Sequence, residues 1–541
     1  MKRLLILAFI FILIESRCFS QATNKEYDKQ KKVENAIKEI SSRLPVLKLP
    51  PDYDSKTLPS YVDNSKLIFF PEITNQLTFP SCQQESSVYY NFTYETDRQR
   101  NIPADIPENK YPAHYTWNYL NNEGWNGVSF FYSFDVIKKQ GIPNITDYGY
   151  DSIVGDKLWM NGYDKYYHGM HNRLSEVSRI PLNTEEGILT AKAYLFDHLN
   201  GSPTGGVFTF NAGGSWVCDI IPEGTPEAGK NITINWGIPA GHAMTIVGYN
   251  DSIRYDLNND GIYSNQLDNN NDGVIDVRDW EIGAFIYANS FGKDWANSGF
   301  CYVLYSAMAK NYGEGGVSEQ SGYTVRPKTN YEPLLTMKVK MTHNSRKDIC
   351  IKAGVTTDTS KIFPDHVMDF PIYNYQGGAH FMQGIDTADF YKTIEFGLDI
   401  TPLLSYINSG EPAKFFLIVA EQDASNIAEG VVQDFSVFSY NNGVQEFESP
   451  QHNVTIANNS STMLAVNGIV NFDKVQITNN SIPAFVPEQP YTEQLQAQGG
   501  SAPYSWNLVK NYSKYQANTP IPLITQNSLD PPNLSVPSVG N

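Results

Sequence analysis

Three short segments of this 541-residue chain carry side chains that together can perform acyl transfer through sulfur. The first segment holds Gln76 and Cys82, the second His242 and the third Asn289. A thiol becomes a strong nucleophile when a neighbouring imidazole lowers its pKa, and a third polar group fixes the tautomer of that imidazole. The sequence therefore offers a nucleophile, a base and a group that orients the base.

The residues around Cys82 predict a helix that begins at the cysteine. Pro80-Ser81 favours a turn and a cap, and residues 83–90 contain neither glycine nor proline. The N-terminal end of such a helix favours a thiolate. Gln76 is expected to donate its side-chain amide to an oxyanion, together with the Cys82 backbone N–H. The alternative is a small buried cysteine and an ordinary loop glutamine.

His242 and Asn289 lie at the ends of two predicted strands. His242 precedes the apolar run 243–249, and Asn289 follows the apolar run 285–288. Two antiparallel strands joined by an insertion place the carboxamide beside the imidazole, whose N–H it accepts. Taken alone, a strand histidine is more often structural and an asparagine at a strand end more often forms a turn.

These segments resemble the papain-like cysteine peptidases over about residues 58–325. Residues 75–82 are similar to that family's oxyanion glutamine and nucleophile, with the same six-residue step. Residues 241–249 resemble its histidine strand, and residues 289–300 resemble its asparagine turn. The glycine-rich substrate edge of the family is matched by Gly124, Asn126 and Gly127.

The resemblance implies an α+β fold, with a papain-like two-lobed catalytic domain, and an endopeptidase that needs no metal for catalysis. Gln83 and Phe79 stand where the family has an aromatic residue and a cysteine, so shielding of the site from water differs here. Two alternatives stay open. One is a catalytically silent adhesion or binding protein that keeps the fold, and the other is a thiol-dependent transferase or amidase.

The segment between His242 and Asn289 contains two stretches with calcium-loop spacing, and the insertion spans 250–281. Calcium loops place oxygen ligands at positions 1, 3, 5, 7, 9 and 12 around a glycine at position 6. The second stretch supplies Asp268, Asn270, Asp272, the Val274 backbone, Asp276 and Asp279, and the first supplies Asp256, Asn258 and Asp260. Asp268 also stands where it could close the first loop. The alternative is a solvated Asn/Asp/Gly-rich loop. The insertion is close to the active site in topology, and we expect Ca²⁺ to order this hairpin and thereby to support catalysis.

Composition and the amino terminus indicate an exported protein. Lys2 and Arg3 precede the apolar run 4–14, which is typical of a signal peptide over residues 1–20. Lipid anchoring at Cys18 is a minor alternative, and no segment predicts a membrane span. The net charge of −18 argues against nucleic acid and anionic membranes as partners. Protein or peptide substrates fit better.

The remaining segments predict a leader and accessory β domains. Residues 21–57 carry one helical pattern followed by prolines, which indicates a leader or short pro-segment. Residues 326–480 predict an all-β sandwich of jelly-roll type, and residues 481–541 resemble part of an immunoglobulin-like module. These domains are expected to act as spacers or to contact a cell-surface or extracellular partner. A bridge between Cys218 and Cys301 is conceivable but not established by the sequence.

Overall fold

The computed structural model describes residues 35–122, 127–149, 157–238, 240–328, 330–384, 392–441 and 443–473. It also describes four short stretches, 476–478, 496–498, 507–509 and 523–525. The predicted signal peptide and most of the predicted immunoglobulin-like module lie outside the described residues, as do Gly124 and Asn126.

The first part of the chain builds one sheet of nine strands. They are β1 (Tyr61–Asp63), β2 (Arg173–Pro181), β3 (Phe208–Gly213), β4 (Val217–Ile220), β5 (Asn231–Asn235), β6 (Ala240–Arg254), β7 (Ile282–Ala288), β8 (Phe300–Leu304) and β9 (Ser321–Lys328). Their order is β2-β9-β3-β6-β7-β8-β5-β4, and β1 pairs with β6. The pairs are antiparallel except β5 with β8, which run parallel.

Helices surround this sheet. They are α1 (35–43), α2 (Cys82–Gln84), α3 (Thr93–Arg100), α4 (Ala113–Leu120), α5 (Phe130–Gln140), α6 (Ile145–Tyr148), α7 (Tyr163–Met170), α8 (Glu185–Asp197) and α9 (Tyr305–Ala309). A π-helical stretch, Glu85–Phe92, joins α2 to α3, and we call these three pieces the central helix. Short 3-10 turns cover Ser55–Thr57, Asn64–Lys66, Pro107–Asn109, Val277–Asp279, Tyr312–Glu314, Ser318–Gln320, Arg346–Asp348 and Thr401–Tyr406.

The central helix packs against the strands that carry the predicted site. Val88, Tyr90 and Phe92 are buried on it, as the run without helix breakers predicts. Ser86 hydrogen-bonds Thr245 of β6 through the two hydroxyls at 2.8 Å. The Tyr90 hydroxyl donates to the Asn289 carbonyl oxygen at 3.0 Å. The helix is therefore held to both β6 and the turn after β7.

Residues after β9 form two further antiparallel sheets, in which β11 and β14 are largely buried and β18 alternates. One sheet has the order β13-β10-β15-β16 with β17 beside β15, and the other has the order β12-β11-β14-β18. Their strands are β10 (Leu335–His343), β11 (Ile349–Thr356), β12 (His366–Asn374), β13 (Thr393–Asp399), β14 (Pro412–Glu421), β15 (Gly430–Ser439), β16 (Gln445–Glu448), β17 (Val454–Thr455) and β18 (Ser461–Ile469). The short pairs β19 (Gln476–Ile477) with β20 (Ala497–Gln498) and β21 (Asn507–Val509) with β22 (Leu523–Thr525) follow.

The two later sheets share one hydrophobic core with helices α4, α5 and α7. Tyr119 of α4 packs edge-on against Tyr373 of β12 at 5.8 Å between ring centroids. The Arg346 guanidinium lies 4.2 Å from the ring centroid of Trp159. Apolar residues of both regions form a single buried cluster. The segment predicted as a β-sandwich domain, residues 326–480, therefore packs against helices of the first part.

Among the residues that the structure describes, no helix has the length and apolar character that a membrane span requires.

The chain has an α+β architecture, in which a region of helices and mixed sheet precedes an antiparallel region.

A buried ion pair between Arg173 and Asp399 ties β2 to β13. We predict that Arg173→Ala lowers the free energy of unfolding by about 3–5 kcal/mol, because it leaves a buried carboxylate without its cation. Urea unfolding of the full chain measures this loss. Lys139→Ala removes an exposed pair with Asp135 and is expected to cost at most about 1 kcal/mol. Equal effects of the two substitutions would contradict the prediction.

Candidate active site

The thiol of Cys82 lies against the start of the strand that carries His242. The central helix begins at Cys82, as the sequence predicts. The Cys82 sulfur is 3.6 Å from the carbonyl oxygen of Gly241, and the backbone N–H of Ala243 also hydrogen-bonds it. The two residues that flank His242 therefore both contact the sulfur.

The ring of His242 is oriented by Asn289. Its Nε2 lies 2.7 Å from Asn289 Oδ1. Because a carboxamide oxygen only accepts hydrogen bonds, this nitrogen carries the proton of the neutral ring. Nδ1 is then unprotonated and available to accept a proton. The backbone N–H of Ser290 donates to the same Asn289 oxygen at 2.8 Å and holds the carboxamide in place.

Gln76 is fixed by the turn that follows Asn289. The Ser290 hydroxyl donates to Gln76 Oε1 at 2.5 Å, and Gln76 Nε2 donates to the Phe79 carbonyl oxygen at 2.8 Å. The Gln76 backbone N–H donates to the Ser290 carbonyl at 2.9 Å, and the Gly292 N–H donates to the Thr74 carbonyl at 3.0 Å. The sequence did not identify Ser290, although it is the residue directly after Asn289.

Two aromatic rings cover His242. Phe291 stacks on the imidazole at 4.8 Å between centroids with an interplanar angle of 30°. Trp216, which lies just before β4, stacks on it at 5.2 Å and 26°. Sequence reasoning missed Trp216, because the contact arises from the pairing of β4 with β5 and not from spacing along the chain. The rings limit access of water to the bond between His242 and Asn289.

Burial shifts the pKa values of His242 and Cys82 in opposite directions, and both shifts favour the neutral form. Burial lowers the pKa of His242 to about 4, and the hydrogen bond with Asn289 partly opposes this shift. Burial also raises the pKa of the Cys82 thiol, against the effect of backbone N–H groups from Ala243 and Gln83. The structure therefore holds a neutral thiol and a neutral imidazole.

A groove of about 720 Å³ opens at Cys82, and Gln76, Gly127 and His242 line it as well. Three of the four predicted catalytic residues line it, Asn289 is joined to it by the bond with His242, and of the predicted substrate edge it includes the described residue Gly127. Ile37 and Lys38 of α1 also line the groove, so the leader reaches it.

Gln83 connects two walls of this groove. Its Nε2 donates to Asn211 Oδ1 of β3 at 3.1 Å, and its Oε1 accepts from the backbone N–H of Phe130 at 3.2 Å. The second bond satisfies one N–H group at the start of α5. The residue that departs from the family pattern is therefore a polar bridge between a helix and the sheet. Asn211 was not identified from the sequence.

A buried carboxyl lies one helical turn after the nucleophile. Glu85 is 1% exposed, and burial raises its pKa to about 8. Nε2 of His114 lies 4.0 Å from Glu85 Oε1 and 3.2 Å from the Ser81 hydroxyl. Burial thus favours the protonated, uncharged form of Glu85, whereas the charge of an ionised Glu85 raises the pKa of the Cys82 thiol.

The two predicted calcium loops adopt the same local hydrogen-bonding pattern. The side chain of Asp256 accepts from the backbone N–H groups of Asp260 and Gly261, and the side chain of Asp268 accepts from those of Asp272 and Gly273. Asp268 thus belongs to the second loop. The carboxylate that faces the first loop is the buried Glu281, which accepts from Leu257 N at 2.7 Å and Ser264 N at 3.1 Å. Glu281 was missed because it lies 25 residues after Asp256.

The donor set of the second loop fits a cation only in part. Asp279 accepts from the backbone N–H groups of Asn270 and Asp276, and Arg278 pairs with Asp272 at 2.8 Å and with Asp276 at 2.7 Å. Across the described ranges, no group of three or more His, Cys, Asp or Glu side chains is arranged to hold a metal ion. Oxygen ligands are present, but a guanidinium already neutralises two of them.

The insertion lies at the far end of the hairpin from the active site. Thr245 of β6 pairs with Ala288 of β7, whereas Arg254 pairs with Ile282 beside the loops. The insertion and the proposed site are therefore neighbours in topology, as the sequence predicts, and lie at opposite ends of the hairpin formed by β6 and β7.

No family model matches the chain, and no curated protein sequence matches it. Among solved structures, it is similar to xylellain, a cysteine protease from Xylella fastidiosa, with 16% identity and a TM-score of 0.33 over 52% of this chain and 91% of that one. It is also similar to procathepsin L 3 of the Tenebrio molitor larval midgut, with 15% identity and a TM-score of 0.31 over 54% and 79%. It is also similar to a recombinant stem bromelain precursor, with 15% identity and a TM-score of 0.31 over 53% of this chain and 76% of that one.

The two rings that stack on His242 lead to a prediction about the pKa of its imidazole. We expect Trp216→Ala to raise the pKa of His242 from about 4 towards its ordinary value of 6.5, because less burial favours the charged ring. Proton NMR titration in a Cys82→Ala background measures this pKa. The control is Phe363→Ala, which removes an exposed ring in the loop between β11 and β12. An unchanged or lower pKa in the Trp216 variant would contradict the assignment of burial as the cause.

Proposed function

We propose that this chain is a cysteine peptidase that hydrolyses peptide bonds through Cys82, His242, Asn289 and Gln76. The observation that carries the proposal is the 2.7 Å bond between His242 and Asn289, with the Cys82 sulfur held between the residues on either side of His242. That arrangement would combine a nucleophile and a base in one groove with an orienting group bonded to the base.

The reaction begins with proton transfer from the Cys82 thiol to Nδ1 of His242. The sulfur then forms a bond to the carbonyl carbon of the peptide, and the negative charge moves to the carbonyl oxygen. One N–H of Gln76 binds the Phe79 carbonyl, and its second N–H donates to this oxyanion together with the Cys82 backbone N–H at the helix start.

The imidazolium of His242 next donates its Nδ1 proton to the leaving nitrogen, and the amine product departs. A water molecule then attacks the thioester with His242 as general base, and Cys82 is regenerated. Asn289 keeps its bond to Nε2 throughout, so the ring presents the same nitrogen to both steps.

We further propose that the protein is exported and acts on protein or peptide substrates outside the cell. The support is the basic and apolar amino-terminal pattern together with the acidic net charge of −18. The later β sheets, which share a core with the helices, are proposed to present the peptidase to a cell-surface or extracellular partner.

Substitution tests the peptidase proposal directly. Cys82→Ala is expected to abolish cleavage of a casein-derived peptide mixture and labelling by an epoxide thiol inhibitor. Gln76→Ala is expected to lower kcat by about 10²–10³-fold, because one oxyanion donor is lost. Tyr132→Ala, an exposed residue, is the control. A folded wild-type protein that neither cleaves peptides nor reacts with the inhibitor would support a catalytically silent binding protein instead. Inhibitor labelling without peptide cleavage would favour a transferase or amidase.

We propose that Ca²⁺ binds the insertion. Asp268, Asn270, Asp272, the Val274 carbonyl, Asp276 and Asp279 would hold it in the second loop. Asp256, Asn258 and Asp260 would hold it in the first loop, with Glu281 in place of the twelfth-position ligand. The support is the shared hydrogen-bonding pattern of the two loops and the buried carboxylate aimed at the first. Bound calcium would supply positive charge among these oxygens and order the end of the hairpin.

Calcium titration provides the corresponding prediction. Ca²⁺ at about a hundredfold excess over its dissociation constant is expected to add about 2.7 kcal/mol to the free energy of unfolding. A rise in the thermal midpoint reports this gain for each bound ion. Asp268→Asn with Asp272→Asn should remove the part that comes from the second loop. Asp358→Asn, in the turn after β11, is the control. An unchanged midpoint of the wild-type chain would contradict calcium binding to the insertion. Because the hairpin carries both His242 and Asn289, thorough chelation is expected to lower peptide cleavage, and unchanged activity would contradict a role of Ca²⁺ in catalysis.

A further inference from the structure

The residue directly before Cys82 forms a hydrogen bond that points away from the central helix. Ser81 occupies the cap position of this helix, but its side chain makes no capping bond to the helix backbone. The Ser81 hydroxyl oxygen lies instead 3.2 Å from Nε2 of His114, near the start of α4. Both side chains are buried. The hydroxyl is therefore directed towards α4.

A serine at the cap position ordinarily accepts a hydrogen bond from the backbone N–H two or three residues further on, here Gln83 or Gln84. The Gln84 N–H donates to the Ser81 carbonyl oxygen at 2.9 Å. Burial raises the pKa of the Cys82 thiol, and the Gln83 N–H, which hydrogen-bonds the sulfur, acts in the opposite direction. The Ser81 hydroxyl and the Cys82 sulfur are thus two competing acceptors for one N–H group.

Packed rings fix the imidazole of His114 beside Ser81. The ring of Phe79 lies edge-on to it at 5.3 Å between centroids, and the ring of Trp117 lies 4.9 Å from it. Nε2 of His114 is also 4.0 Å from Glu85 Oε1, which is too long for a direct hydrogen bond. The closest polar neighbour of this nitrogen among these groups is the Ser81 hydroxyl.

We propose that His114 is a positioning residue for Cys82. Its hydrogen bond keeps the Ser81 hydroxyl away from the start of the central helix, so the Gln83 N–H stays on the sulfur and stabilises the thiolate. This effect on the thiolate does not depend on what the thiolate attacks. The consequence for peptide cleavage rests on the proposed function.

Charge provides a second route from His114 to the thiol, which a test has to separate from positioning. Ionised Glu85 on the central helix adds to the effect of burial in raising the pKa of Cys82, and His242 on β6 lines the same groove. Removal of the His114 ring changes the surroundings of Glu85 as well as the partner of Ser81. Only the positioning route requires the Ser81 hydroxyl.

The test compares four full-length proteins, which are the wild type, His114→Phe, Ser81→Ala and the double variant. Peptide mapping measures the rate at which iodoacetamide alkylates Cys82 from about pH 6 to 10. We expect His114→Phe to raise the Cys82 pKa by about one unit and to slow alkylation at pH 7 about tenfold, because the thiolate loses the Gln83 N–H. Ser81→Ala is expected to have little effect alone and to restore the wild-type rate in the double variant, since no hydroxyl then competes.

The same samples contain the controls. His452→Phe places the same substitution at a partly exposed histidine before β17 and is expected to leave the Cys82 rate unchanged. The exposed Cys218 measures the reactivity of the reagent, and protection of the buried Cys350 verifies folding. If His114→Phe does not fold, His114→Leu with and without Ser81→Ala gives the same comparison.

An unchanged Cys82 rate in the folded His114 variant would overturn the proposal. A slow rate that persists in the double variant would also overturn it, because a structural or electrostatic role is not reversed by removal of the Ser81 hydroxyl. Where the wild type cleaves peptides, His114→Phe should lower kcat at unchanged KM, and Ser81→Ala should restore it. A wild type that cleaves no peptide but shows the expected alkylation pattern would contradict the proposed function and leave the role of His114 intact.

Discussion

The site depends on a clamp between residues 74–76, just before the central helix, and residues 289–292, just after β7. Backbone bonds run in both directions between these segments, and the Ser290 hydroxyl adds a side-chain bond to Gln76. The clamp joins the loop that leads to the nucleophile to the turn that begins with Asn289. A shift of either segment would move the side chains of Gln76 and Asn289 together, because Ser290 contacts both of them.

Burial is the constraint that the proposed reaction would have to overcome. The rings of Trp216 and Phe291 protect the bond between His242 and Asn289, and the same burial favours the neutral imidazole and the neutral thiol. In the proposed reaction, proton transfer from Cys82 to His242 would create two opposite charges, whose attraction would offset part of the cost of burying each one. Residues of α1 line the same groove, so the leader adds to this burial.

The sequence predicted the helix that begins at Cys82 and the strands that carry His242 and Asn289, because local patterns determine these elements. It did not predict the roles of Trp216, Asn211 or Glu281, since each reaches its position through the pairing of distant strands or through a long insertion. The shared core between the later sheets and the helices was also missed. The sequence pattern indicates that aromatic residues such as Tyr119 and Tyr373 are buried, but it does not indicate which residues they pack against.

The central claim is that Cys82, His242, Asn289 and Gln76 act as one acyl-transfer site. Rapid-quench mass spectrometry of the full chain mixed with an activated N-acyl amino acid ester tests it most directly, because it observes the thioester itself. The account predicts an acyl group on Cys82 that forms within the first turnover, disappears on hydrolysis and is absent in Cys82→Ala. A folded protein that never carries the acyl group, or carries it on another residue, would contradict the account.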